Sequence, residues 1–249
     1  MNGRKLYSCI VLSGGMSRRM GQDKGSMIIQ EKPMILHILE KLNYQINDAV
    51  IVLNDAERIA NYRSLLDGYC SDNIDAIENN FDYSLIFVED EVKAKGPISG
   101  IMTGLKNIKT DYALVLPCDS PFISVEFIES MFNLLEDNLK SGDVDAIIPF
   151  HIKSNKDKFK DKEEFNFNDA NEMTVDMKIQ NSEPLHSIYK KENLNNINEL
   201  LKEDSLYVKS FIGSLKNPCF IEVDNKVLFD KDFRNFNRKE DLEDLILNK

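Results

Sequence analysis

Five short apolar runs rich in β-branched residues recur through the first 150 residues, and the segments between them carry helical periodicity. That alternation leaves few folds open. After the first run, Pro33 opens a segment in which Ile35, Ile38, Leu39 and Leu42 fall on one helical face. The pattern predicts strands over 49–53, 84–88, 112–116 and 144–149, and helices over 57–66, 97–105 and 125–139. A β-α-β succession of this kind gives an α/β protein with a mostly parallel central sheet covered by helices, with ligands at the carboxyl ends of the strands.

At 249 residues the chain is long enough for one domain, 1–249, without covalent staples. Cys9, Cys70, Cys118 and Cys219 lie far apart and form no C-x-x-C pair, so neither a zinc site nor a redox pair is expected. Reduced thiols in a cytoplasmic protein are the simpler reading. The apolar run 6–12 is too short for a signal peptide or membrane span. His37, His151 and His186 show no metal-ligand or Ser-His-Asp spacing. The chain carries a net charge of −11, yet residues 1–32 hold six basic side chains against two acidic ones. A positive end on an acidic protein argues for a local anion site and against extended nucleic-acid binding.

Patterning breaks at about 151–180. Residues 153–178 contain six lysines, seven acids and no glycine or proline, and read as a charged, solvated insertion. The alternative is a partner-binding or substrate-covering flap carrying Phe159, Phe165 and Phe167. Regular patterning resumes with a strand over 184–189, helices over 193–202 and 206–215, a short strand over 220–223 and a closing helix over 241–247.

The chemistry gathers after the strands. Leu12 and Ser13 run into Gly14 and Gly15, followed by Arg18, Arg19 and Lys24. Adjacent glycines turn the backbone tightly with N–H groups outward, and the cations add charge, which suits phosphate. The patterns G-x-G-x-x-G and G-x-x-x-x-G-K-[ST] both fail here, which disfavours two familiar phosphate folds. Asp119 follows the fourth strand, where it or Ser120 could cap a helix beginning at Pro121, or could hold a divalent cation against phosphates. Gly96 and Gly100 flank a helix start at Pro97 whose dipole favours an anion. Asn54 and Asp90 end the second and third strands, where from sequence alone either could be an ordinary turn residue. Asn235 and Asn237 alternate onto one side of an extended segment, although Asn237 could also cap the last helix.

Gly14-Gly15, then Arg19-Met20-Gly21, then Asp23-Lys24, at those spacings, resemble the signature of the MobA-like molybdenum cofactor guanylyltransferases. The segments Gly96-Pro97-Ile98-Ser99-Gly100, Cys118-Asp119-Ser120-Pro121-Phe122 and 233–242 are similar to further elements of that family. Ser13 stands where the family more often has alanine, and Lys239 replaces a customary proline. The resemblance implies a three-layer, Rossmann-like nucleotidyltransferase fold of glycosyltransferase-A type. It implies transfer of GMP from GTP to the terminal phosphate of molybdopterin, with Mg²⁺ on Asp119. In that reading Arg19, Lys24 and Asp119 are catalytic, and Leu12, Ser13, Gly14, Gly15, Lys24, Asn54, Asp90 and Asp119 bind nucleotide. Gly96, Gly100, Asn235 and Asn237 bind the pterin, and cofactor-delivery proteins are conceivable partners. A cytidylyltransferase of the same fold, acting on molybdopterin or a sugar or polyol phosphate, is the nearest alternative. A non-catalytic nucleotide-binding module is another.

Overall fold

The computed structural model describes residues 7–13, 23–43, 45–70, 81–152, 173–224, 228 and 230–233. In chain order the elements are β1 (Tyr7–Leu12), β2 (Ile28–Ile29), β3 (Lys32–Pro33), α1 (Met34–Lys41), β4 (Asp48–Leu53), α2 (Ala56–Cys70), β5 (Ser84–Glu89) and α3 (Pro97–Asn107). They continue with β6 (Tyr112–Pro117), α4 (Val125–Leu139), β7 (Ala146–Phe150), α5 (Val175–Gln180), β8 (Ile188–Lys190), α6 (Leu194–Lys202), α7 (Val208–Gly213) and β9 (Pro218–Glu222).

Seven strands form one sheet in the order β5-β4-β1-β6-β8-β7-β9. Every pairing is parallel except those of β8, which runs antiparallel to both β6 and β7. The expected α/β architecture with a mostly parallel sheet is therefore present. Strand alternation divides the apolar side chains between two cores. Cys9, Val11, Ile51, Leu53, Leu114 and Leu116 face α1, α2 and α4, whereas Ile10, Val50, Val52, Ala113 and Val115 face α3, α6 and α7. Burying each such side chain contributes about 1.5–3 kcal/mol, which is why the central strands are apolar on both faces.

Glycines set how closely α3 approaches β1. A Cβ at Gly104 would lie 2.4 Å from Ile10 Cγ2, and one at Gly100 would lie 2.9 Å from Leu12 Cδ2. Helix α4 is capped by Ser124, whose hydroxyl accepts from the N–H of Phe127 at 3.1 Å.

Three expectations require correction. The segment 184–189 is not one strand: Pro184–His186 forms a 3-10 turn, and only Ile188–Lys190 pairs. Pro184 lacks the N–H a ladder needs, and the Tyr189 hydroxyl closes the turn by donating to the Pro184 carbonyl at 2.9 Å. The helix expected over 206–215 is confined to Val208–Gly213. The charged stretch does not stay solvated to its end, because Thr174 caps α5 and Met173 and Ile179 are buried. Its remainder at 153–172, with Phe159, Phe165 and Phe167, and the helix expected over 241–247 lie outside the described residues.

Candidate active site

Strand β1 is the axis of the site because hydrogen bonds from both neighbours hold its end. The Ser13 N–H donates to the Val52 carbonyl at 3.0 Å, and the Cys118 N–H donates to the Leu12 carbonyl at 3.0 Å. The residues that follow β1 and β6 therefore emerge side by side at the carboxyl edge. Asp119 leaves β6 there, and the Lys24 ammonium meets it with Nζ 2.7 Å from Oδ2, across 95 residues of chain. The two side chains are 19% and 16% exposed, so the pair is sheltered yet open to an incoming ligand. Asp119 caps no helix, since α4 begins only after Ser124.

Lys24 is held by a 3-10 turn, Lys24–Ser26. Asp23 caps it, with Oδ1 accepting from the Gly25 N–H at 3.1 Å, and the Ser26 hydroxyl donates to the Asp23 carbonyl at 2.9 Å. Behind the turn, Met27, Ile29 and Met34 pack together with Phe122 from the Asp119 loop. The Lys41 ammonium donates to the Pro121 carbonyl at 2.7 Å, and burial lowers its pKa from the ordinary lysine value. The cation and the carboxylate thus rest on one shared apolar support.

On the far side of Asp119, His186 is 1% exposed with Nε2 3.0 Å from Ser120 Oγ. Burial lowers its pKa to about 4; Glu183 and Asp119 oppose that shift and His151 adds to it. Phe233 stands edge-on to His186, His151 and Phe127, while Asp232 Oδ1 accepts from the Ser124 N–H at 2.8 Å. The start of the 233–242 segment is therefore moored beside the Asp119 loop.

The remaining candidate residues line the β4, β5 and α3 side. Asn54 follows β4 and its carbonyl accepts from the Lys93 ammonium. Asp90 follows β5, but its carboxylate is turned toward α3: Oδ2 accepts from the Ser99 hydroxyl at 2.8 Å and Oδ1 from Thr103 at 3.0 Å. Gly96 is exposed with φ of 71° and precedes α3, whereas Gly100 is buried against Leu12. Leu12, Ser13, Lys24 and Asp119 are thus brought together. Gly14, Gly15, Arg18, Arg19, Asn235 and Asn237 lie outside the described residues.

Two residues that composition and motif spacing did not single out also touch this site. Tyr62 and Arg58, one turn apart on α2, reach the residues flanking 14–22. The only sequence signal was their i, i+4 spacing. Between α2 and the Lys24 turn lies an open cavity of about 430 Å³, lined among the described residues by Asp23, Ser26, Asp55, Glu57, Arg58, Asn61, Tyr62 and Leu65.

A parallel sheet that brings a lysine onto an aspartate over the ends of adjacent strands has the architecture of the α/β nucleotidyltransferases. The model of the MobA-like NTP transferase domain matches residues 9–217, and the chain belongs to that family. It is 33% identical over 239 residues to a probable molybdenum cofactor guanylyltransferase of Methanothermobacter thermautotrophicus, covering 96% of this chain and 98% of that protein. A probable molybdenum cofactor guanylyltransferase of Peptoclostridium acidaminophilum is 28% identical, with 98% and 90% covered. Among solved structures, molybdopterin-guanine dinucleotide biosynthesis protein A from Archaeoglobus fulgidus superposes with a TM-score of 0.63 at 22% identity, covering 95% of each chain. The 4-diphosphocytidyl-2C-methyl-D-erythritol synthase of Anaerococcus prevotii shares the fold at a TM-score of 0.63 and 14% identity, covering 98% and 97%.

Proposed function

We propose that this chain transfers GMP from GTP to the terminal phosphate of molybdopterin, forming the guanine dinucleotide cofactor and pyrophosphate. The observation that carries the reading is the Lys24–Asp119 contact of 2.7 Å at the carboxyl edge of β1 and β6, in a chain of this family. An oxygen of the pterin phosphate attacks the α-phosphorus in line as the bond to the β-phosphate oxygen breaks. The nucleophile is already ionised near neutral pH, so no general base is needed. Lys24 would neutralise the departing pyrophosphate, with Arg19 and the amides of Gly14 and Gly15 sharing that task in this reading.

Asp119 fits Mg²⁺, because it offers a hard carboxylate oxygen and Mg²⁺ is held by one or two carboxylates plus substrate phosphates. Among the described residues no three His, Cys, Asp or Glu side chains form a group that could hold a metal ion. When bound, the ion supplies positive charge to the phosphate oxygens. Asp90 would act by fixing the start of α3, with Asn54 and Gly96 along the same edge and Asn235 and Asn237 recognising the pterin. Buried Cys9 and Cys118 are free thiols, which suits a reducing cytoplasmic setting. Among the described residues no helix is long and apolar enough to cross a membrane.

Thermal unfolding with Mg²⁺ and each of GTP, CTP, ATP and UTP tests the base assignment. A nucleotide at 100 times its Kd should stabilise by about 2.7 kcal/mol. Preference for GTP together with pterin-dependent pyrophosphate release supports the proposal. Preference for CTP would replace it with cytidylyl transfer, and binding without release would make the chain a nucleotide-binding module.

A further inference from the structure

Helix α2 carries Arg58 and Tyr62 one turn apart, so both side chains leave the same face. Ser13 is the last described residue before 14–22 and Asp23 the first after it. The Tyr62 hydroxyl donates to Asp23 Oδ1 at 2.6 Å and lies 2.6 Å from Ser13 Oγ. Since its one proton goes to the carboxylate, Ser13 must donate to it. Arg58 Nη1 repeats the bridge, 3.5 Å from the Ser13 carbonyl and 3.4 Å from Asp23 Oδ2. Each side chain therefore touches both ends of the glycine loop.

Tyr62 is 2% exposed, and burial drives its hydroxyl far above the ordinary tyrosine range, so it stays a donor at any working pH. Gly25 completes the arrangement. A Cβ there would stand 2.3 Å from the Tyr62 oxygen and 2.8 Å from Ser13 Oγ, so no residue with a side chain fits while both bonds stand.

We propose that Arg58 and Tyr62 are positioning residues that clasp Ser13, at the end of β1, to Asp23, the cap of the Lys24 turn, and thereby set Lys24 before nucleotide arrives. The Ser13 hydroxyl gives the clasp an extra hydrogen bond. A lysine already held in place has met its ordering cost; one that is not held must draw that cost from the binding energy of the triphosphate. The loss should therefore fall on KM for GTP and spare kcat.

The kinetic arm rests on the guanylyl-transfer reading, whereas hydrogen exchange on the nucleotide-free protein does not. Tyr62→Phe keeps the ring and removes only the bridging hydroxyl. It should speed amide exchange in the Lys24 turn, residues 23–27, selectively and raise KM for GTP about tenfold, the scale of one hydrogen bond to a charged group. Ser13→Ala should act in the same direction more weakly and add little on top of Tyr62→Phe. Arg58→Lys keeps the charge but loses the fork, and should fall between wild type and Arg58→Ala. Unchanged exchange in 23–27, faster exchange spread evenly over the chain, or a fall in kcat at constant KM would each overturn the clasp. If the wild type releases no pyrophosphate from GTP, the guanylyl reading fails and the exchange result alone decides.

Discussion

At the scale of single residues, Lys24 and Asp119 form an ion pair and, in the proposed function, also act on substrate, and the two roles separate by measurement. As an ion pair about four-fifths buried, either partner alone leaves the other poorly compensated, while removing both relieves that penalty. Lys24→Ala and Asp119→Ala should each fold but melt earlier than wild type, with the double variant recovering part of the loss. Turnover should behave otherwise: each single change costs on the order of 10² to 10³ in rate, and the double variant recovers nothing, because in the proposed function Lys24 acts on the triphosphate directly and Asp119 acts through Mg²⁺. Recovery of pyrophosphate release in the double variant would reduce the pair to a structural tie. Both residues could be named from sequence, Lys24 from a glycine loop with cations and Asp119 only through the resemblance of its segment, since a lone aspartate at a strand end reads equally as a helix cap. Arg58 and Tyr62 could not, because their contacts with Ser13 and Asp23 depend on the helical phase of α2 against a loop about 40 residues away in sequence. Asp90 was legible in position but not in orientation, which Ser99 and Thr103 decide.

At the scale of elements, the reading succeeded where burial on both sheet faces forces a continuous apolar strand, as in β1, β4 and β6. It failed where local chemistry and tertiary contact disagree. Helix α5 lies in a charged stretch and is carried by a threonine cap and one buried isoleucine; β8 is three residues long and follows a proline turn. Helix α3 shows how glycine spacing sets packing. Alanine at Gly104 gains about 1 kcal/mol of helix propensity but forces its Cβ into the branched carbon of Ile10, and such overpacking costs about 1–3 kcal/mol. Gly104→Ala should therefore lower the unfolding free energy, and should be less than additive with Ile10→Ala, which clears the space. Gly100→Ala meets only the tip of the half-buried Leu12, so it should be near neutral in stability. Urea unfolding of the four variants decides, and a stabilised Gly104→Ala would mean that α3 can move away from β1 at no cost.

At the scale of the whole molecule, the buried His186 couples folding to pH. Its folded pKa, lowered to about 4 chiefly by burial, lies below the roughly 6.5 of an exposed histidine, so between these values the unfolded chain binds the proton that the folded one refuses. Unfolded chains binding more protons make stability rise with pH. This contribution is complete above about pH 6.5 and is lost as pH falls toward 4. By pH 4 the loss from this one group is about 3 kcal/mol, a large share of the 5–15 kcal/mol that usually holds a domain folded. The groups facing His186 moderate it in both directions: Glu183 and Asp119 favour the charged ring, while His151 opposes it. The acidic chain adds its own titration, so the test is a difference between two proteins. His186→Gln keeps a polar group toward Ser120 but cannot take up a proton in this range. Unfolding free energies of wild type and His186→Gln, measured at intervals from pH 7 to 4, should converge as pH falls, the wild type losing about 3 kcal/mol more than the variant. Parallel curves would mean that the folded and unfolded chains take up the His186 proton over the same pH range, and that burial against Ser120 does not lower its pKa.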